Sequence, residues 1–229
     1  MSSGLIERPL ELIDGMAISR EDFYAITDES DRYRNVERID GKVVMNAASV
    51  RREQHGLPHG QIIGLLAMYY AETPGTEIGD NGTAQIEDEH DPQPDAYLLI
   101  LPENGGQVRF TGDDYIRGAP ELIVEIAASS LSKDLGRKKE IYEQDGCREY
   151  LVWATETTRF HCFRNSDTGF RTLNPDDGVF RSQTFPGLRI DTAALLRGDY
   201  RAAMQTLREG LASEEHAAFV AELAERTGP

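Results

Sequence analysis

Residues 120–153 read PELIVEIAASSLSKDLGRKKEIYEQDGCREYLVW, and the rest of the chain is arranged around this segment. Residues 122–127 are apolar apart from one acid, and residues 149–153 form a second apolar run, so each run is typical of a short buried strand. Residues 134–145 between them have helical composition and are followed by Gly146, which is typical of a helix C-terminus. The segment therefore predicts two parallel strands joined by a crossover helix.

One acid, Glu125, lies in the middle of the first predicted strand. Burying a lone ionised carboxylate is costly unless it is paired, neutralised or bound to a metal. The predicted helix offers a partner, because a regular helix presents on one face the residues at i, i+4, i+7 and i+11, namely Leu131, Leu135, Lys138 and Tyr142. Lys139 is rotated about 100° further round and is expected to point to solvent. Two interpretations remain open: a structural Glu125–Lys138 ion pair, or a lysine that acts on a reacting group.

Length and composition set the class of protein. The 229 residues, 39 % of them hydrophobic, can bury a full core and favour one α/β domain with terminal extensions. No apolar run approaches the length of a membrane span, and the N-terminus lacks a signal-peptide pattern. Cys147 and Cys162 lack metal-ligand spacing and are interpreted as reduced thiols, so we expect a cytoplasmic protein without membrane contact.

The charge is strongly acidic. A net charge of −16 argues against a general polyanion binder, because broad phosphate neutralisation needs a basic surface. Local charge differs from the total, since four basic residues lie close together: Lys133, Arg137, Lys138 and Lys139.

The remaining pattern alternates short strands and helices. Ser19 begins a short helix through Ile26 in a motif like a capping box, and Asp40-Gly41 predicts the turn of a hairpin over residues 36–45. A helix from Pro58 to Glu72 follows, with His59 on its apolar face either as a half-buried histidine with a backbone partner or as a residue near a site. The acidic loop at 87–91, which contains His90, is expected to be solvated, with a metal-binding carboxylate–histidine cluster as the alternative. Further predictions are a strand pair at 77–79 and 83–86, a strand at 95–101, a loop at 102–119, antiparallel strands at 159–164, 169–173 and 179–184, and a helical tail at 199–225.

Three acids lie in or beside predicted strands, where acids are depleted: Glu37, Asp95 and Glu125. Mg²⁺ takes oxygen ligands, usually one or two protein carboxylates with waters and substrate phosphates. Such an ion would offset the burial of Glu125, activate a water and stabilise the charge of a phosphodiester transition state. For each acid taken alone, a salt bridge or an exposed strand end is the simpler explanation.

Together these motifs resemble the Uma2-type (DUF820) endonucleases, a branch of the PD-(D/E)xK nuclease-like superfamily. The resemblance covers residues 18–190. Its motifs, in order, are VERIDG at 36–41, His59 at the start of a helix, Pro94-Asp95, GAPELIVEI at 118–126, Asp134 with Lys138 and Tyr142, and GCREYLVW at 146–153. A similar run, ELIDG at 11–15, lies upstream, but Glu37 fits the family better by its distance to His59.

The resemblance implies a restriction-endonuclease-like α/β fold, with a mixed central sheet flanked by helices and added antiparallel hairpins. It implies that Asp95, Glu125 and the backbone carbonyl of Ile126 hold Mg²⁺ or Mn²⁺, with Glu37 as a further catalytic acid. Ala127 stands where the superfamily motif has its lysine, and Lys138 looks like the migrated substitute. His59 and Tyr142 would support the site.

Three functions follow as hypotheses. The first is a metal-dependent endonuclease acting on nucleic acid, with DNA as the expected substrate. The second is a nuclease-fold protein that binds or assembles without cutting, and the third is a metal hydrolase of a small phosphate ester. We expect an N-terminal arm at 1–17, a nuclease-like domain at 18–196 and a helical tail at 197–229. The resemblance and the tail also suggest a homodimer.

Overall fold

The computed structural model describes residues 11–33, 35–45, 50–175 and 177–226. The α-helices in these ranges are α1 Arg20–Thr27, α2 Leu57–Glu72, α3 Leu131–Asp134, α4 Arg137–Gln144, α5 Thr192–Leu196, α6 Tyr200–Leu211 and α7 Glu214–Arg226. The strands are β1 Val36–Ile39, β2 Lys42–Met45, β3 Thr76–Asp80, β4 Ala84–Gln85, β5 Ala96–Ile100, β6 Arg109–Phe110, β7 Ile116–Arg117, β8 Leu122–Ala127, β9 Glu149–Ala154, β10 Arg159–Arg164, β11 Arg171–Leu173, β12 Val179–Arg181 and β13 Arg189–Asp191.

A six-stranded mixed sheet forms the centre of the molecule, in the order β11-β10-β9-β8-β5-β3. The strands β8 and β9 are parallel, with Leu122 opposite Glu149, whereas the other neighbours are antiparallel. Every residue of β8 and β9 is buried, as expected for central strands covered on both faces. The predicted strand–helix–strand unit and the mixed α/β architecture with flanking helices are therefore confirmed.

The two faces of β8 pack on different helices. Leu122, Val124 and Ile126 belong to a cluster that also contains residues of α2, α6 and α7. Ile123 and Ala127 belong to the opposite cluster, which contains Ile141 and Tyr142 of α4. Because successive side chains of a strand alternate between faces, Glu125 lies on the face that α4 covers.

The crossover helix differs from the prediction of one helix over 134–145, because it is broken into α3 and α4 at Leu135-Gly136. The break needs a glycine: a Cβ on Gly136 would lie 2.6 Å from the Ser132 carbonyl oxygen. Gly146 follows α4 at φ +82°, the left-handed conformation expected of a residue after a helix C-terminus.

The predicted exposure of Lys139 is wrong. Its Nζ lies 5.0 Å from the ring centroid of Phe163, 5.6 Å from that of Phe170 and 3.6 Å from Glu143 Oε2. The ammonium is held over aromatic rings that come from β10 and from the turn after it, so long-range packing overrides the direction that helical geometry alone gives.

The N-terminal elements follow their local signals. Ser19 caps α1 by accepting a hydrogen bond from the Asp22 N–H, and β1 and β2 form the predicted hairpin, with Glu37 opposite Val44. The hairpin is tied to the 86–91 loop, where Arg38 Nε lies 2.7 Å from the fully buried Asp91 carboxylate. His90 is also buried there, and its Nδ1 accepts the Asp40 N–H, so the prediction that this loop is solvated is wrong at His90 and Asp91.

Several strand pairings depend on contacts that are distant in sequence. The segments at 77–79 and 83–86 do not pair with each other, because β3 pairs with β5 and β4 pairs with β7. The predicted 102–119 loop contains β6 and β7, and β12 pairs with β13 outside the central sheet. The helical spacing of the apolar residues in 58–72 also predicts Tyr70 on the apolar face of α2, but this residue is 44 % exposed.

The C-terminal segment forms two helices, and Leu207, Phe219 and Leu223 are buried in the main core. Across the described ranges, none of the helices combines the length and the apolar character that crossing a membrane requires.

Candidate functional site

Two acids predicted from the sequence, Glu37 and Glu125, meet at Lys138. The Lys138 Nζ lies 2.6 Å from Glu125 Oε1 and 2.9 Å from Glu37 Oε1. Glu125 projects from the middle of β8, Lys138 from the first turn of α4 and Glu37 from β1, and each is less than 10 % exposed. Glu37 Oε1 also accepts the Gln93 N–H at 2.8 Å, which holds β1 against the segment that leads into β5.

Asp95 lies directly before β5 and beside Glu125. Its Oδ2 accepts the Ile126 N–H at 2.6 Å, and its own N–H lies 3.4 Å from Glu125 Oε2. These two contacts continue the β5–β8 pairing past the first residue of β5. The structure thus brings Glu37, Asp95, Glu125 and Lys138 into one place, although they come from separate segments.

Two histidines contact Asp95. The Nε2 of His59 lies 2.8 Å from the Asp95 carbonyl oxygen and 3.2 Å from Asp80 Oδ1; since both partners are acceptors, this nitrogen carries the proton. The Nε2 of His55 lies 3.2 Å from Asp95 Oδ1, while its Nδ1 is buried and has no hydrogen-bond partner among the described residues.

His55 was not predicted from the sequence, because it lies among polar and charged residues just before the predicted helix. It lies in the π-helical turn Arg52–Gly56 that leads into α2. Its spacing of four residues from His59 is the signal that could have found it, since residues four apart share a helix face.

Two further side chains complete the surroundings of Lys138. The hydroxyl of Tyr142 donates to Glu125 Oε1 at 3.0 Å. The carboxylate of Asp134 is buried, with Oδ1 4.0 Å from the Lys138 Nζ. The sequence motif contained both residues, but it assigned a supporting role only to Tyr142.

Four carboxylates, at Glu37, Asp95, Glu125 and Asp134, therefore face one ammonium. Burial, with repulsion from neighbouring acids, raises the pKa of Glu125 well above its ordinary value and also raises the pKa of Asp134. Burial opposes the charge of Lys138, but the surrounding carboxylates outweigh it and raise the lysine pKa.

The pKa of Asp95 shifts in the other direction. Burial acts to raise it, but the hydrogen bond and charge of His55, the Ile126 N–H and Lys138 together lower it. The same hydrogen bond to Asp95 raises the pKa of His55. The site thus separates a carboxylate that stays ionised, Asp95, from one that holds a proton more readily, Glu125.

These residues line a cleft of about 780 Å³. Within the described ranges, no three or more His, Cys, Asp or Glu side chains are grouped to hold a metal ion. Two adjacent carboxylates, Asp95 and Glu125, nevertheless fit a hard divalent cation, because Mg²⁺ usually takes one or two carboxylates and keeps several waters. The Ile126 peptide faces the same side, since its N–H donates to Asp95.

Comparisons with known proteins agree with this architecture. The model of the Uma2 family, described as a putative restriction endonuclease, matches residues 20–193. The crystal structure of a putative nuclease belonging to DUF820 from Anabaena variabilis ATCC 29413 is similar with a TM-score of 0.57. That similarity covers 83 % of this chain and 99 % of the other at 11 % identity, so it shows the fold alone. No curated protein matches the chain.

Proposed function

The chain belongs to the Uma2 family, and from this membership and the geometry of its cleft we propose that it is a metal-dependent endonuclease that hydrolyses DNA phosphodiester bonds. The observation that carries the proposal is the placement of Lys138 between Glu37 and Glu125, with Asp95 beside Glu125. A purely structural ion pair needs one acid for one lysine, whereas here the buried acids outnumber the lysine. Such an excess of negative charge favours a bound cation.

Asp95, Glu125 and the carbonyl of Ile126 would hold Mg²⁺ or Mn²⁺, which supplies Lewis-acid stabilisation and activation of a water when bound. Lys138 would orient the attacking water and stabilise developing negative charge, with Glu37 as a further acid that holds the ammonium in place. Tyr142 fixes Glu125 through its hydroxyl. His55 donates to the Asp95 side chain and His59 donates to the Asp95 carbonyl, so both orient this acid.

We assign the site to the PD-(D/E)xK type, with its lysine relocated. Ala127 occupies the position two residues after Glu125 and packs among apolar residues on the α4 side of the sheet. Lys138 reaches the same carboxylate from α4. A lysine delivered by the crossover helix would therefore replace one delivered by the strand.

The direct test is cleavage of plasmid and single-stranded DNA with Mg²⁺ or Mn²⁺. We expect Asp95→Ala and Lys138→Met each to lower the rate by about a hundredfold or more, as is typical for removing a charge-stabilising group. Lys139→Met is the matched control, because this neighbouring lysine pairs with Glu143 outside the acid cluster. Equal rates for the wild type and Asp95→Ala would refute the assignment.

A second candidate is a nuclease-fold protein that binds or assembles without cutting. It is favoured by the net charge of −16 and by the engagement of Lys138 with two carboxylates. Calorimetric titration with Mg²⁺ separates the two candidates. Divalent binding that disappears in Asp95→Asn and Glu125→Gln supports the nuclease, and its absence in the wild type supports the second candidate.

We also propose how the chain divides into domains, where the protein is located in the cell and how it assembles. We propose an arm at 1–17, a nuclease-like unit at 18–196 and a tail at 197–229, although the tail helices share the main core. The free, buried thiols of Cys147 and Cys162 support a cytoplasmic location, since disulfides are rare in that compartment. We propose a homodimer, which light scattering on the purified protein tests.

A further inference from the structure

Two exposed cations line the same cleft as the buried acids. Arg51 directly precedes the π-helical turn that carries His55, and Lys133 directly precedes Asp134 in α3. Successive residues of a helix are rotated by about 100°, so Asp134 is directed into the cluster while Lys133 stays exposed. Each cation thus lies within one helical turn of a residue of the candidate site, on a different element.

These two cations differ from their neighbours in how their charge is used. Arg137 pairs with Asp40 and Glu140, and Arg52 pairs with Glu53. In the described part of the chain, Arg51 and Lys133 form no ion pair within 4.0 Å; Arg51 makes only a 3.3 Å hydrogen bond to the neutral amide of Gln54. Their charge is available to a ligand.

A ligand that uses both cations must be anionic and must reach beyond the acid cluster to the exposed lining of the cleft. The acid cluster can accommodate a single scissile phosphodiester, but Arg51 and Lys133 lie outside that cluster, on the exposed lining of the cleft. A strand carries further phosphates on each side of the scissile one. With a net charge of −16, the protein repels such a strand over most of its surface, so unpaired cations beside the acids decide where it docks.

We propose that Arg51 and Lys133 bind backbone phosphates that neighbour the scissile phosphate, so that the substrate is a phosphodiester polymer and not a small phosphate ester. The proposal rests on the proposed nuclease function and deepens it by naming the residues that hold the strand beside the scissile phosphate and that favour a polymer over a small phosphate ester. Glu156 lines the same cleft, is exposed and opposes both cations in charge. It therefore weakens the attraction of the strand.

The test compares two substrates, a fluorescent DNA strand and bis(p-nitrophenyl) phosphate, both with Mn²⁺. In the double variant Arg51→Gln/Lys133→Gln, we expect kcat/KM to fall at least about tenfold more for the strand than for the ester, because the ester has no neighbouring phosphates. Strand binding is also measured in EDTA as a function of salt. The slope of log K against log salt concentration should become shallower by about one unit for each of the two residues replaced. Glu156→Gln should raise the affinity for the strand.

Arg171→Gln/Arg208→Gln is the matched control, with the same change in charge at exposed residues of β11 and α6 away from the cleft. A thermal melt of each variant verifies folding. Equal losses on both substrates would show a merely structural effect, and no loss on the strand would show that the cations are not used; either result overturns the inference and leaves the nuclease standing. A wild type that cleaves the ester alone, or neither substrate, overturns both proposals.

Discussion

Asp134 shows at the scale of one residue why the acid cluster is costly. The residue is 3 % exposed, and its nearest cation, Lys138, is 4.0 Å away and already contacts two other acids. A buried ion pair gains little net stability, because desolvation offsets the Coulomb attraction, and an acid in excess of the available cations lacks even that gain. Selection for stability alone gives no reason to keep such a group.

The pKa of Asp134 predicts a pH dependence. Burial is the main cause that raises this pKa in the folded state. The contribution of Asp134 to the free energy of unfolding is therefore fully present below the unfolded pKa of about 3.9 and is lost as pH rises through the folded pKa. Asp134→Asn removes this loss. We expect the free energy of unfolding of the wild type to fall relative to that of the variant as pH rises from about 4 toward neutrality.

Urea unfolding in EDTA across this pH range measures the difference. A buffer without divalent ions is needed because a bound cation would stabilise the ionised acid. Ser130 hydrogen-bonds the side chain at this position, and the asparagine amide oxygen can accept the same bond. Parallel pH profiles for the two proteins would show that Asp134 is ionised equally in the folded and unfolded states.

At the scale of elements, the break between α3 and α4 and an ion pair beside it position the start of α4, which carries Lys138. Gly136 lies in the break, and Lys138 is the second residue of α4. Asp40 and Arg137 add a clamp beside it, since Arg137 Nη2 lies 2.6 Å from Asp40 Oδ1 and joins the hairpin turn to the start of α4. The clamp and the break together hold Lys138 between Glu37 and Glu125.

Two glycines at the ends of α4 test this account. Gly136→Ala places a Cβ 2.6 Å from the Ser132 carbonyl oxygen, so we expect a loss of about 1–3 kcal/mol and a displaced Lys138 with reduced DNA cleavage. The Cβ of Gly146→Ala meets no atom of the described residues within 4 Å, so we expect only the cost of its positive φ, about 1–2 kcal/mol, with cleavage retained. Urea unfolding and cleavage assays on both variants provide the comparison. Wild-type cleavage by Gly136→Ala would show that the break does not position Lys138.

At the scale of the whole molecule, whose net charge is −16, a divalent cation that binds the acid cluster would stabilise the folded protein. A divalent ion that binds only the folded protein raises the free energy of unfolding by about 2.7 kcal/mol at a hundred times its Kd. We therefore expect Mg²⁺ to raise the Tm of the wild type at constant ionic strength and to have little effect on Asp95→Asn/Glu125→Gln. Thermal melts with NaCl as the control measure this, and an unchanged wild-type Tm in saturating Mg²⁺ would argue against a tight site.

Local patterns in the sequence determined much of the fold. Two apolar runs around an amphipathic segment predicted β8 and β9 as parallel strands, and Asp40-Gly41 predicted the β1–β2 hairpin. These signals work because side-chain periodicity and turn chemistry act within a few residues. Helical spacing also directed Lys138 toward the strand that carries Glu125, because the two lie on elements adjacent in sequence.

Only the tertiary structure decided what lies far apart in the chain. Three examples join segments whose relative position no local pattern encodes. They are the packing of Lys139 on Phe163 and Phe170, the pairing of β3 with β5, and the contact of His55 with Asp95. The site is of the same kind. The sequence supplied the acids and the lysine, but their separations of 2.6 and 2.9 Å depend on strand register, on the helix break at Gly136 and on the docking of the hairpin against α4.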